Sequence, residues 1–173
     1  MGSKANLVIT EKNGVCSIKV SGRANFECGI PLRSFSKNFG DNIKKIVIDL
    51  GECESMDSTF MGILTMLSLK TKKMNIPLEL LNTSTSVRAL LRGLGVEKMF
   101  DFIEGGAVEL EENRAIADTD EPNRTDAART VVEAHKTLMN VSLDNIAKFE
   151  KVVEFAEDDL RRLESQEHDD GGK

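Results

Sequence analysis

Asp49-Leu50-Gly51-Glu52-Cys53-Glu54-Ser55-Met56-Asp57-Ser58-Thr59-Phe60-Met61-Gly62 is the stretch that decides the fold. Ile46-Val47-Ile48 leads into it, so an apolar run of strand type carries one acid, Asp49, near its carboxyl end. A run this apolar reads as a central strand covered on both faces. A short acidic loop then feeds a helix at Asp57-Ser58. That helix is predicted over Ser58–Met74, with Ile63, Leu64, Leu67 and Met74 on its inner stripe and Asn75-Ile76-Pro77 closing it. Backbone N–H groups at a helix start are unpaired and partly positive, so they accept a side-chain oxygen or a phosphate. On these residues alone, N-capping worth about 1 kcal/mol is the reading to prefer over a modification site.

Working outward, Leu7–Glu11 and Val15–Ser21 pair as strands across Lys12-Asn13-Gly14, whose Asn-Gly tolerates positive φ. Gly22 ends the second strand, and Ala24–Pro31 is a loop or a broken entry into a helix. Leu32, Phe35 and Phe39 follow at helical spacing until Gly40-Asp41. Beyond the central helix, Leu78–Leu81 is a strand. Ser84-Thr85-Ser86 caps a helix over Val87–Leu94, and Lys98–Ile103 is a last strand. The order β-β-α-β-α-β-α-β predicts an α/β fold, a mixed sheet of four to five strands with helices packed on it.

The chain changes character after Glu104. A domain over 1–104 is followed by an acidic linker over 105–124, a helical extension over 125–163 and a disordered tail over 164–173. In the extension Val131, Ala134, Leu138 and Val141 form one heptad-like seam. Ile146, Phe149, Val153, Ala156, Leu160 and Leu163 form a second, out of phase with the first. This is one long helix with a stutter, or two helices broken near Asn140–Asp144. It either packs back on the domain or mediates self-association, giving a homo-oligomer through 125–163.

The 173 residues carry a net charge of −6, which argues against nucleic acid and for a partner with a basic face. No apolar run reaches the length of a membrane span, and no signal-peptide pattern opens the chain, so a cytoplasmic protein is expected. Three scattered cysteines, Cys16, Cys28 and Cys53, read as reduced thiols, with no metal site and no cofactor. Cys28 has no visible activating base.

Met56-Asp57-Ser58-Thr59, preceded by Ile46–Leu50 and followed by Gly62, resembles the signature of the STAS family, whose bacterial members include the anti-sigma factor antagonists. Gly22-Arg23-Ala24, Ile76-Pro77-Leu78-Glu79-Leu80, Val87–Gly95 and Met99-Phe100 agree with it in order. The resemblance implies a STAS-type fold and a non-catalytic protein in a partner switch. Ser58 is then phosphorylated by an anti-sigma factor that is also a serine kinase, with the ATP belonging to the kinase, and a serine phosphatase reverses it. Thr59 is the lesser candidate acceptor. Asp49, Asp57, Ser58, Thr59, Phe60 and Phe26 are expected on the partner surface, Phe26 from a loop beside the serine. The family usually has glycine where this chain has Phe60, a bulky residue that would alter kinase access.

Two other readings compete. A STAS scaffold without phosphorylation would assemble through the C-terminal helix. A hydrolase would use Ser58 as nucleophile, but it lacks a G-x-S-x-G elbow and a base. His135 and His168 are expected on a helix surface and in the tail.

Overall fold

In the computed structural model, residues 2–108, 110 and 123–171 are described. β1 (Asn6–Lys12), β2 (Val15–Ala24), β3 (Lys45–Met56), β4 (Leu78–Leu81) and β5 (Asp101–Ile103) form one sheet in sequence order. β1 is antiparallel to β2, and the remaining neighbours are parallel. The first hairpin closes over Asn13 and Gly14, at φ 53° and 80°, with Lys12 opposite Val15. Two positive φ values match the turn twist to the strand twist, which is why Asn-Gly stands there.

The helices are α1 (Phe26–Asn38), α2 (Ser58–Lys73), α3 (Thr85–Gly93), α4 (Arg124–Val141) and α5 (Asp144–Asp170). One face of the sheet is dry: Leu7, Ile9, Ile18, Ile46, Ile48, Leu50 and Leu80 are buried in the core. The other face, with Val8, Ser17, Lys19, Val47 and Glu79, is only half-buried. The expectation of a central strand covered on both faces is therefore corrected for Val47. Short apolar runs do not distinguish one covered face from two.

Three boundaries differ from the sequence reading. β3 does not end at Leu50 but continues to Met56, pairing Glu52, Cys53, Ser55 and Met56 with Ser21–Ala24 of β2, so no acidic loop intervenes. Gly22 lies within β2, not at its end. It has φ 75° at an irregularity in the register, and an added Cβ would stand 2.4 Å from the Lys4 carbonyl oxygen. α1 begins at Phe26 in place of the expected loop, with Pro31 inside it. Asn25 caps it by accepting from Cys28 N–H at 3.3 Å. Glu27, the residue whose carbonyl Pro31 cannot serve, is exposed to water.

The extension is two helices, broken at Ser142-Leu143 where the two seams fall out of phase. Its apolar faces are used in part within the chain, while Leu143, Ile146, Val152 and Phe155 stay exposed. Ala134 and Leu138 of α4 belong to the domain core, and Val153 and Ala156 of α5 are buried. Arg129–Glu164 and Lys136–Glu157 pair the two helices. The fully buried Asn145 donates to Leu94 O at 2.9 Å and Leu138 O at 2.8 Å, tying the turn to the end of α3. The stretch expected as a disordered tail, 164–173, is instead the end of α5 as far as Asp170. Most of the expected linker, 109 and 111–122, lies outside the described residues.

Because Gly22 combines a left-handed backbone with a carbonyl against its α-carbon, Gly22→Ala is expected to destabilise the fold by at least about 1–2 kcal/mol. A urea unfolding curve measures this.

Candidate functional site

The junction between β3 and α2 is built around one carboxylate. Asp57 N–H donates to Ala24 O at 2.9 Å, which holds the junction beside the end of β2. Asp57 Oδ1 then accepts from Phe60 N–H at 2.8 Å, capping α2. Its Oδ2 accepts from Phe26 N–H at 3.0 Å, serving the first amide of α1. Burial raises the Asp57 pKa, while the N–H bonds from Phe60 and Phe26 pull the other way.

Ser58 is the first residue of α2 and is half-buried. Its Oγ lies 2.9 Å from His135 Nε2, and His135 Nδ1 lies 2.7 Å from Val131 O one turn earlier in α4. A carbonyl only accepts, so Nδ1 carries a proton, and in the neutral imidazole Nε2 accepts from the Ser58 hydroxyl. The imidazole is 3% exposed and packs against the Phe149 ring of α5, centroids 4.9 Å apart. His135 is thus not the helix-surface residue expected from sequence. The missed signal was phase: Val131, His135 and Leu138 share one helix face, and His135 follows the seam residue Ala134.

The serine–histidine pair supplies the base that the hydrolase reading lacked, but not the rest of the machinery. His135 Nδ1 is held by a carbonyl and not by a carboxylate. The Phe60 amide at the start of α2, a natural oxyanion donor, is spent on Asp57. Among the described residues no cluster of His, Cys, Asp and Glu fits a metal ion.

The six residues expected on the partner surface separate. Asp57 and Ser58 stand at the junction, and Phe26 is 38% exposed beside them, on a helix and not in a loop. Phe60 has no exposed surface. Its ring lies over Gly29 of α1, so it does not obstruct Ser58 and cannot touch a partner. Thr59 is buried. Asp49 is buried too, accepting from Gly51 N–H at 2.9 Å and Val108 N–H at 3.3 Å. The three cysteines are buried free thiols. Burial pushes Cys16 up to about 12 and Cys28 up to about 11.

The STAS domain family matches residues 6–113, more than half of the chain. The chain belongs to the STAS family. Two solved structures are also similar to this STAS protein. One is the anti-sigma factor antagonist SpoIIAA in its unphosphorylated form, at 16% identity and TM-score 0.48, covering 61% of this chain and 90% of that one. The other is the Bacillus cell fate determinant SpoIIAA in its phosphorylated form, at 15% identity and TM-score 0.49, covering 60% and 92%. No curated protein matches the chain. Among the described residues no helix is long and apolar enough to cross a membrane.

Two outcomes are expected at this site. Asp57→Ala removes acceptors for two helix starts, so it should cost about 2 kcal/mol in chemical unfolding, and Asp57→Asn, which keeps one oxygen, about half of that. A thiol reagent at neutral pH should leave Cys16 and Cys28 unmodified in the native protein and label them once denaturant is added, read by intact mass.

Proposed function

We propose that this STAS protein is a phosphorylation-controlled switch of the anti-sigma factor antagonist type. It binds an anti-sigma factor that is also a serine kinase while Ser58 carries a free hydroxyl, and it lets go once Ser58 is phosphorylated. The single observation that carries the reading is the position of Ser58, the first residue of a helix at the end of the central strand, outside the core, in a STAS domain. In the modification, Ser58 Oγ bonds to the γ-phosphorus of ATP held by the kinase. The bond from that phosphorus to the β-phosphate oxygen breaks, ADP leaves, and the hydroxyl proton passes to a base of the kinase. A serine phosphatase reverses the step with water. The switch protein itself needs neither cofactor nor catalytic group, and in this reading it works in the cytoplasm, where its kinase finds ATP.

The energetics favour an off-switch that leaves the sheet folded. The phosphate adds about −1.5 to −2 charges. The partly positive N–H groups of the helix start favour that charge. Inside an interface it must be desolvated beside Asp57. An uncompensated charge there costs on the order of 2–5 kcal/mol, and emptying a filled complex takes about 5 kcal/mol.

Mass spectrometry of the protein from its native cell should find phosphate on Ser58 and a co-purifying kinase. Ser58→Asp should then weaken that partner's binding by about two orders of magnitude, and Ser58→Ala should not. Equal binding of Ser58→Asp and wild type would end this reading.

A further inference from the structure

Three consecutive residues of α4 meet the domain at three different kinds of contact. Glu133 accepts from Arg33 Nε at 2.8 Å, from the second Arg33 nitrogen at 3.0 Å and from Lys37 Nζ at 2.8 Å, all from α1. Ala134 lies so close to Gly62 of α2 that a Cβ built there would stand 2.5 Å from the Ala134 carbonyl oxygen. His135 takes the Ser58 hydroxyl at 2.9 Å. An ion-pair clamp, a backbone-to-backbone contact and a hydrogen bond thus seat one helix in the groove between α1 and α2, over the serine.

We propose that α4 is a removable lid: the groove of Arg33, Gly62 and Ser58 is a helix-docking surface filled in the resting chain by the protein's own Glu133-Ala134-His135, and a phosphoryl group on Ser58 evicts it. This rests on the reading of Ser58 as a phosphate acceptor. The geometry explains why the two states exclude each other. With Oγ 2.9 Å from Nε2, a phosphorus and its three oxygens have no place along the line of the existing bond. Gly62 lets the α4 backbone lie directly against α2 beside His135, so a backbone contact sets the narrow space between Oγ and Nε2. The added charge also falls next to Asp57, whose carboxylate already serves both helix starts. The side chains that α4 sets over the serine, Ala134 and His135, are small or polar, and its large side chain in the domain core is Leu138. A kinase reaching Ser58 must first find α4 lifted, so the lid also sets how readily the serine is modified. A competing partner would need a helix with an acid for Arg33 and a small residue for Gly62.

Hydrogen exchange on the full chain tests this without any partner. The unmodified protein is compared with one carrying phosphoserine at position 58 by genetic incorporation, and with Gly62→Ala. In both altered chains α4 amides should exchange faster by on the order of tenfold or more, while β3 and β4 amides keep their protection. Gly62→Ala adds a good helix former to α2, so loss at α4 alone reports the collision with Ala134. Unchanged or increased α4 protection with phosphoserine overturns the lid. So does joint loss of protection in α4 and the sheet, which would make α4 an inseparable part of the fold. Neither result depends on whether a cell phosphorylates Ser58 or whether a kinase binds, so this proposal and the partner switch fail separately.

Discussion

A helix start leaves backbone N–H groups without partners, and two helices that begin side by side double the problem. In this protein the Asp57 carboxylate answers both. One oxygen caps α2 through Phe60 N–H, and the other takes Phe26 N–H at the start of α1. The Asp57 amide is itself anchored on Ala24 O, the last residue of β2. Two strands and two helices are therefore joined at one residue, and Ser58 is fixed in place because it is the next residue. A carboxylate in this position is favoured by the partial positive charge of both helix ends, while burial pushes its pKa up against the N–H bonds from Phe60 and Phe26.

The rest of the molecule follows from a sheet with one dry face. Helices α1 and α2 form a surface with a groove, and small residues let a third helix come close. Gly62 makes room for the α4 backbone, and Gly29 makes room for Ile63. α5 then backs α4, placing Phe149 behind His135. The Arg33–Glu133–Lys37 cluster joins α1 to α4. Burial alone would raise the Glu133 carboxyl, but its hydrogen bonds and charge contacts with both cations hold it below the ordinary carboxylate range. The extension is therefore part of the domain's surface chemistry and not merely an appendage.

Much of the fold was legible because it depends on local chemistry. Asn13-Gly14 requires the turn that it makes, Ile46–Leu50 forms the first half of the central strand, and Asp57 and Ser84 cap the helices that follow them. The boundaries that were misread share a cause. Glu52 and Glu54 look like loop residues, but an edge of β3 exposed to water accommodates them, Glu52 pairing with Lys19 at 2.8 Å. Pro31 looks like a helix start, but α1 begins five residues earlier because Asn25 and Asp57 supply its caps. Phe60 looks like an obstacle beside a serine, yet the helical turn carries its ring inward over Gly29.

By itself the sequence determined the alternation of strands and helices, the place of Ser58 at a helix entrance and the two apolar seams of the extension. Periodicity and capping act over a few residues, so they can be read from one stretch at a time. What only the tertiary structure decided is where those seams are spent and what meets the serine. Ser58 and His135 are separated by 77 positions, and their pairing arises because Gly62 lets α4 approach while Arg33 and Lys37 hold Glu133 in register. A contact of that kind depends on the joint packing of three helices, and no single segment of the chain encodes it.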